Sequence, residues 1–135
     1  VELFQNTCSG LVQQIEMGNL DGEETRRILE NALHPMLDEN IDTVVLGCTH
    51  YPFVIPMIEK IVGEKVRVID PAPAVAKQVK RLLEAGGLLN SSDVKGRIQI
   101  YTSGDVEIVK SVLPKLLNEA ASVKSVTWKN DREIQ

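Results

Sequence analysis

The chain has 135 residues, of which 43% are hydrophobic and 25% charged, and its formal net charge is −4. This length and apolar content suffice for one ordinary hydrophobic core, so a single domain is the first expectation. The acidic balance, with no cluster of lysines or arginines, argues against a nucleic-acid-binding surface. No apolar run reaches the length of a membrane span and no signal peptide is visible, so no membrane partner is expected.

Apolar periodicity predicts strands that alternate with helices along the whole chain. The predicted strands are 1–4, 43–46, 66–69, 97–102 and 122–128. The predicted helices are 11–17, 21–40, 53–62, 71–85 and 105–119, and a charged, frayed tail follows from 129 to 135. This alternation is typical of an α/β fold in which helices flank a parallel sheet. The chain begins in strand-like sequence at Val1 without a methionine, which suggests a fragment or a processed product.

The two cysteines, Cys8 and Cys48, lie far apart in the sequence. Their spacing fits neither a CxxC metal pair nor a disulfide-rich framework, so it favours a reducing cytoplasm and predicts no metal site. His34, within the second predicted helix, is expected to be a surface or helix-end histidine.

The stretch that organises the chain is the strand 43–46 and the loop that follows it. The loop carries Cys48, Thr49 and His50 in succession before an apolar helical pattern resumes. Ligands of open α/β sheets bind outside the carboxyl ends of the strands. A thiol becomes a useful base or nucleophile when a histidine or a helix N-terminus stabilises its thiolate. Free cysteines are also among the most buried residues, so the residues alone leave a functional and a structural interpretation of Cys48 open.

Four segments resemble motifs of glutamate racemases, in the order in which that family carries them. Residues 46–52, Leu-Gly-Cys-Thr-His-Tyr-Pro, are similar to the family's second catalytic-cysteine motif. Residues 8–16 resemble its Cys-Pro-x-x-Val-Pro-x-x-Glu stretch, with Glu16 in the place of a functional acid. Residues 68–74 resemble its Ile-Asp segment, and residues 101–105 its late Tyr-Thr-x-Gly-Asp motif.

The resemblance implies cofactor-independent interconversion of L-glutamate and D-glutamate by two cysteine acid/base groups. Inversion at Cα requires one such group on each face of the carbon. On the family's pattern Cys48 is one base, His50 assists its proton transfer and Thr49 holds the substrate. Glu16 would orient or charge the imidazole, although the residues alone make it a solvated helix glutamate. Cys8 falls at a family position that is not catalytic.

The biological setting also follows from the resemblance. It implies a bacterial cytoplasmic enzyme that supplies D-glutamate for peptidoglycan and so contributes to cell-wall biogenesis and cell shape. Glutamate is the expected partner, no cofactor is implied, and a homodimer is left open.

The family's first half, which carries the opposite base, has no counterpart in this chain. The resemblance therefore implies a pseudo-symmetric fold of two α/β domains that face each other. Residues 1–70 would form most of the second domain, incomplete at its N-terminus, and residues 71–135 a return segment that completes the first. The isolated chain is then expected to be inactive. Two alternatives remain. One is a relative of the aspartate or hydantoin racemases, although those enzymes usually carry glutamate or another residue at the position of His50, and the other is a folded remnant without catalysis.

Overall fold

A computed structural model of the chain describes residues 1–94, 96–117, 121–129 and 133–134. The chain divides into two compact units, Val1–Ser91 and Ser92–Gln135. The predicted domain boundary after residue 70 falls inside the first unit, and because it concerns a larger protein it stays a prediction. In the part of the chain that is described, no helix is both long and apolar enough to cross a membrane.

The first unit contains two parallel strands and most of the helices. Its elements in chain order are α1 (Leu11–Glu16), α2 (Glu23–Asp38), β1 (Thr43–Val45), a 3-10 helix (Tyr51–Val54), α3 (Ile55–Val62), β2 (Arg67–Ile69) and α4 (Ala72–Ala85). Strands β1 and β2 pair in parallel, with Val44 opposite Val68. Parallel neighbours need a crossover connection, and α3 supplies it. The predicted α/β architecture with parallel strands and flanking helices is confirmed.

The core of this unit lies where α1, α2 and α3 pack together beside the strands. Its buried apolar residues are Leu11, Ile15, Leu29, Ala32, Leu33, Leu46, Val54, Met57, Ile58 and Val62. Leu29 and Leu33 lie one turn apart on α2, on the apolar stripe that the sequence predicts. Thr25 is buried as well, and its hydroxyl donates to the carbonyl of Asn19 at 2.5 Å, so this buried polar group is satisfied. The core therefore holds α1 against the segment that follows β1.

Helix α4 is amphipathic, yet none of its residues is buried. Val75, Val79 and Leu82 are 60%, 50% and 62% exposed. The helix starts where Asp70 Oδ1 accepts the Ala72 N–H at 2.9 Å. An aliphatic helical stripe of this kind normally packs on a core, so α4 presents an uncovered apolar face.

The second unit pairs two further parallel strands around one helix. Its elements are β3 (Gln99–Thr102), α5 (Val106–Leu117), β4 (Ser122–Ser125), β5 (Trp128–Lys129) and β6 (Glu133–Ile134). Strands β3 and β4 are parallel, and Val112 of α5 is buried. Asp105 Oδ1 accepts the Glu107 N–H at 2.7 Å and so caps the start of α5.

Several element predictions from the sequence are wrong. Residues 1–4 form no strand, because no described strand pairs with them and a strand depends on such a ladder. The strand predicted over 122–128 ends at Ser125, and Trp128 begins a separate one. Lys129 is not frayed but pairs antiparallel with Glu133, beside the β-favouring Trp128 and Ile134. Residues 118 and 119 of the fifth predicted helix, and residues 130–132 and 135 of the tail, lie outside the described residues.

Candidate active site

The candidate site is built on the loop that joins β1 to the 3-10 helix. Leu46 is buried, and its N–H donates to the Ile69 carbonyl at 3.0 Å, which fixes the end of β1 against β2. The Tyr51 N–H donates to the Cys48 carbonyl at 3.3 Å, so the 3-10 helix begins directly after the loop. Pro52 suits this start because it has no amide hydrogen to leave unpaired. Cys48 thus lies at the carboxyl end of β1 and just before a helix, as the sequence predicts.

Cys48 and His50 contact each other across the loop. Sγ of the half-buried Cys48 lies 3.9 Å from Nδ1 of His50, at the outer limit of a hydrogen bond to sulfur. The His50 side chain is 34% exposed. Thr49, between the two, is exposed. Direct proton transfer between this thiol and this imidazole requires the two atoms to approach to a shorter hydrogen-bond distance.

Glu16 reaches the same histidine from a different element. Its Oε1 lies 3.3 Å from Nε2 of His50, and its side chain is 62% exposed. Glu16 is the last residue of α1, whose buried Leu11 and Ile15 fix the helix in the core. In the tautomer of neutral His50 that carries its hydrogen on Nε2, the side that faces Glu16, Nδ1 is left as an acceptor toward Cys48. The structure therefore brings together three of the four predicted site residues, and places Thr49 beside them.

Tyr51 and Cys8 lie next to this group. Cys8 is half-buried directly before α1, and its carbonyl accepts the Leu11 N–H at 3.0 Å. Burial raises the pKa of the Cys8 thiol and the Cys48 thiolate raises it further, while a hydrogen bond from the Tyr51 side chain acts to lower it. Burial also raises the pKa of Tyr51, and the charges of Cys8 and Cys48 add to this. The spacing and periodicity of the sequence assign no role to Tyr51. Its position within the motif at 46–52 is the one sequence feature that places it near the site.

The other candidates are His34 and a cleft against α1 and α2. His34 is exposed on α2, as the sequence predicts. A polar cleft of ≈ 400 Å³ lies against α1 and α2, and Asn6, Gln13 and Asn31 are among its lining residues. Across the described ranges, no group of three or more His, Cys, Asp or Glu side chains is arranged to hold a metal ion.

The sequence model of the family described as Asp/Glu/Hydantoin racemase matches residues 4–79, which is more than half of the chain and includes the loop of Cys48. The chain belongs to the Asp/Glu/Hydantoin racemase family. Among its relatives is a glutamate racemase from Pseudomonas aeruginosa (strain UCBPP-PA14), which is 42% identical over 123 residues. That alignment covers 91% of this chain and 46% of the relative. A glutamate racemase from Roseiflexus sp. (strain RS-1) is 40% identical over 117 residues, which are 86% of this chain and 43% of the relative.

Solved structures of glutamate racemases have the same fold as this racemase-family chain. The enzyme from Francisella tularensis, solved in complex with D-glutamate, superposes with a TM-score of 0.78 at 28% identity. It matches 93% of this chain and 46% of its own. An isoform from Bacillus anthracis has a TM-score of 0.78 at 30% identity, with 88% of this chain and 44% of its own matched. The chain therefore spans about half the length of the racemases that it matches.

Proposed function

We propose that this chain is part of a glutamate racemase in which Cys48 is one of two cysteine bases that act at Cα without a cofactor. The observation that carries the proposal is the set of contacts that runs from Cys48 through His50 to Glu16, at the end of a parallel strand. The names of the relatives, one of them solved with D-glutamate, support glutamate as the substrate.

The proton path follows from the two distances around His50. With the hydrogen of neutral His50 on Nε2, which lies 3.3 Å from Glu16, Nδ1 takes the proton of the Cys48 thiol and the resulting imidazolium faces the thiolate. The thiolate removes the Cα proton of one enantiomer, and the second base returns a proton to the opposite face. In the reverse direction the Cys48 thiol donates its proton to the carbanion. Thr49, exposed beside Cys48, would hold the substrate through its hydroxyl and backbone amide.

The second base must come from outside this chain. Cys48 serves one face, and the half-buried Cys8 has a raised pKa, which makes it a poor base at neutral pH. We place the other base in the half of the relatives' length that has no counterpart here. Residues 71–135 would complete the domain that carries it, and the uncovered face of α4 supports this assignment.

The product would supply peptidoglycan synthesis in the bacterial cytoplasm, a compartment that the two free thiols favour.

A chimeric enzyme tests the proposal. In it, this chain replaces its counterpart in the P. aeruginosa glutamate racemase, and the remainder of that enzyme is kept. We expect the folded chimera to convert L-glutamate to D-glutamate, and chiral chromatography measures this conversion. We expect its Cys48→Ser variant to be inactive but to keep an unchanged far-UV circular dichroism spectrum. Serine is nearly isosteric but its hydroxyl is too weak a base.

Three results would contradict this assignment. They are a folded chimera without turnover, a Cys48→Ser variant that keeps most of its activity, and faster turnover of L-aspartate than of L-glutamate. The last would place the chain with the aspartate racemases of the same family.

A further inference from the structure

Asn19 joins the end of α1 to the start of α2. Its backbone N–H donates to the Gln14 carbonyl at 2.9 Å, and its side-chain Nδ2 donates to Oε1 of Gln14 at 2.5 Å. Its own carbonyl accepts the Thr25 hydroxyl at 2.5 Å. Gln14 lies in the last turn of α1 and Thr25 in the first turn of α2. One half-buried residue thus links the two helices through three hydrogen bonds.

The backbone at the end of α1 has the geometry of a Schellman motif. The Gly18 N–H donates to the Ile15 carbonyl at 2.8 Å, and the bond from Asn19 to Gln14 spans this one. Gly18 has a φ of 73°, in the left-handed region that glycine adopts without steric cost. Glu16 is the last residue of the helix and stands directly before this turn. The motif therefore fixes the backbone from which the Glu16 side chain extends.

The link at Asn19 is well shielded from solvent. Thr25 is fully buried. A Cβ at position 22 would overlap with Oδ1 of Asn19, so Gly22 leaves the room in which the Asn19 amide lies. Hydrogen bonds that are shielded from water are stronger than exposed ones. The Glu16 side chain, by contrast, is 62% exposed, and exposed ion pairs hold their partners weakly.

We propose that Asn19 is a positioning residue that holds the end of α1 so that Oε1 of Glu16 stays beside Nε2 of His50. The two atoms lie 3.3 Å apart in this structure. The inference rests on the proposed function, because it takes the contact of Glu16 with His50 as part of the proton path. Asn19 acts on Cys48 through these two side chains and is not itself a catalytic residue.

The electrostatics at the end of α1 make such support necessary. The Glu16 carboxylate lies at the negative end of the helix dipole, where an acidic side chain is disfavoured. The last turn, residues 13–16, contains no basic side chain that would offset this repulsion. The exposed contact with His50 is too weak to order the helix end by itself. The hydrogen bonds of Asn19 supply this order instead.

The test follows the contact of Glu16 with His50 by NMR in the 135-residue chain. The ring protons on the two carbons beside Nε2 of His50 should give a nuclear Overhauser cross-peak to the side-chain protons of Glu16. Asn19→Ala removes the amide that binds Gln14. Asn31→Ala is the matched control, because it removes an exposed asparagine amide from α2.

We expect the cross-peak to be lost in Asn19→Ala and kept in Asn31→Ala. A merely structural role of Asn19 would lower the thermal unfolding midpoint and leave the cross-peak in place. The proposal is overturned if Asn19→Ala keeps the cross-peak, if both variants lose it, or if the unchanged chain does not show it.

A second variant decides the question if Asn19→Ala does not fold. Gln14→Ala removes the acceptor of the same side-chain hydrogen bond and introduces the residue that most favours a helix, so it should keep the fold. It should also lose the cross-peak, whereas Gln13→Ala, at the adjacent exposed position, should keep it. A Gln14→Ala chain that keeps the cross-peak overturns the proposal.

The chimera shows whether the effect reaches the reaction. Asn19→Ala should lower kcat about threefold when Glu16 is present, and should lower it no further in a Glu16→Ala chimera. Equal reductions in both backgrounds, or an unchanged kcat, would overturn the proposal. An inactive chimera would reject the proposed function, whereas the NMR contact needs no turnover and decides separately whether Asn19 positions Glu16.

Discussion

Oε1 of Glu16 lies 3.3 Å from Nε2 of His50 and so joins the last residue of α1 to the loop after β1. The Glu16 side chain is 62% exposed, and pairs as exposed as this contribute only about 0.2–1 kcal/mol to the free energy of unfolding. The consequence of the contact is therefore chemical. In the proposed mechanism the Glu16 carboxylate accepts from Nε2 and supplies a counter-charge to the imidazole while His50 holds the proton of Cys48.

Glu16→Gln separates these two effects, because the amide oxygen still accepts from Nε2 while the negative charge is lost. We expect the free energy of unfolding to fall by less than about 1 kcal/mol. Racemisation by the chimera should fall about tenfold, since the imidazolium loses its counter-charge. Urea unfolding and chiral chromatography measure the two quantities. Glu59→Gln, at an exposed position on α3, is the control. A Glu16→Gln chimera that turns over at the original rate would show that Glu16 has no part in the proton path.

Cys48 should be alkylated faster than Cys8 at neutral pH. Burial and the Cys48 thiolate raise the pKa of Cys8 more than the hydrogen bond from Tyr51 lowers it, so little Cys8 thiolate is present there. Cys48 lies beside an imidazole that can take its proton. Iodoacetamide labelling with peptide mass spectrometry gives both rates in one sample. The Cys8 rate should rise only on the alkaline side of about pH 8.5, where an ordinary thiol ionises. Equal rates at neutral pH would remove the basis for treating Cys48 as the base.

Stability should decline at alkaline pH, and the half-buried Cys8 and Tyr51 set the sign. The pKa values of Cys8 and Tyr51 are both raised in the folded chain. The unfolded chain therefore loses these protons first as the pH rises, so the free energy of unfolding falls from about pH 8.5 upward. The double variant Cys8→Ala/Tyr51→Phe should flatten this decline in urea titrations at several pH values, and Tyr101→Phe should not. A decline of the same steepness in the double variant would assign it to other groups.

The sequence predicts elements best where local and long-range preferences agree. The run Thr43–Val45 is β-favouring and is followed by proline at a helix start, so both β1 and the position of Cys48 could be predicted. Residues 1–4 have the same local character, but strand formation depends on a partner that composition does not reveal. The proximity of Glu16 to His50 was predicted from the family resemblance alone, because the spacing of the two residues in the sequence does not imply it. The Tyr51–Cys8 contact had no such guide, because it depends on how α1 packs against the 3-10 helix.

The isolated chain should not racemise glutamate. Inversion requires a base on each face of Cα, and in the proposed mechanism this chain supplies only Cys48, for one face. The half of the relatives' length that is not represented here would also be needed to exclude water and orient the substrate. Incubation with L-glutamate in heavy water, followed by chiral chromatography, should show no D-glutamate. Turnover that rises in proportion to the chain concentration and disappears in Cys48→Ser would contradict this expectation.

The isolated chain should also self-associate weakly through α4. Val75, Val79 and Leu82 recur at helical spacing and are at least half exposed, so their burial against a second copy is favourable. A helix of 14 residues is only about 21 Å long, and its face is smaller than the roughly 800 Å² per partner of a stable interface. We therefore expect concentration-dependent association in sedimentation velocity, without a tight dimer. Leu82→Gln should reduce it. Glu84→Gln, on the opposite face of the same helix, should not. A chain that stays monomeric at all concentrations, or variants that behave alike, would show that α4 does not mediate association.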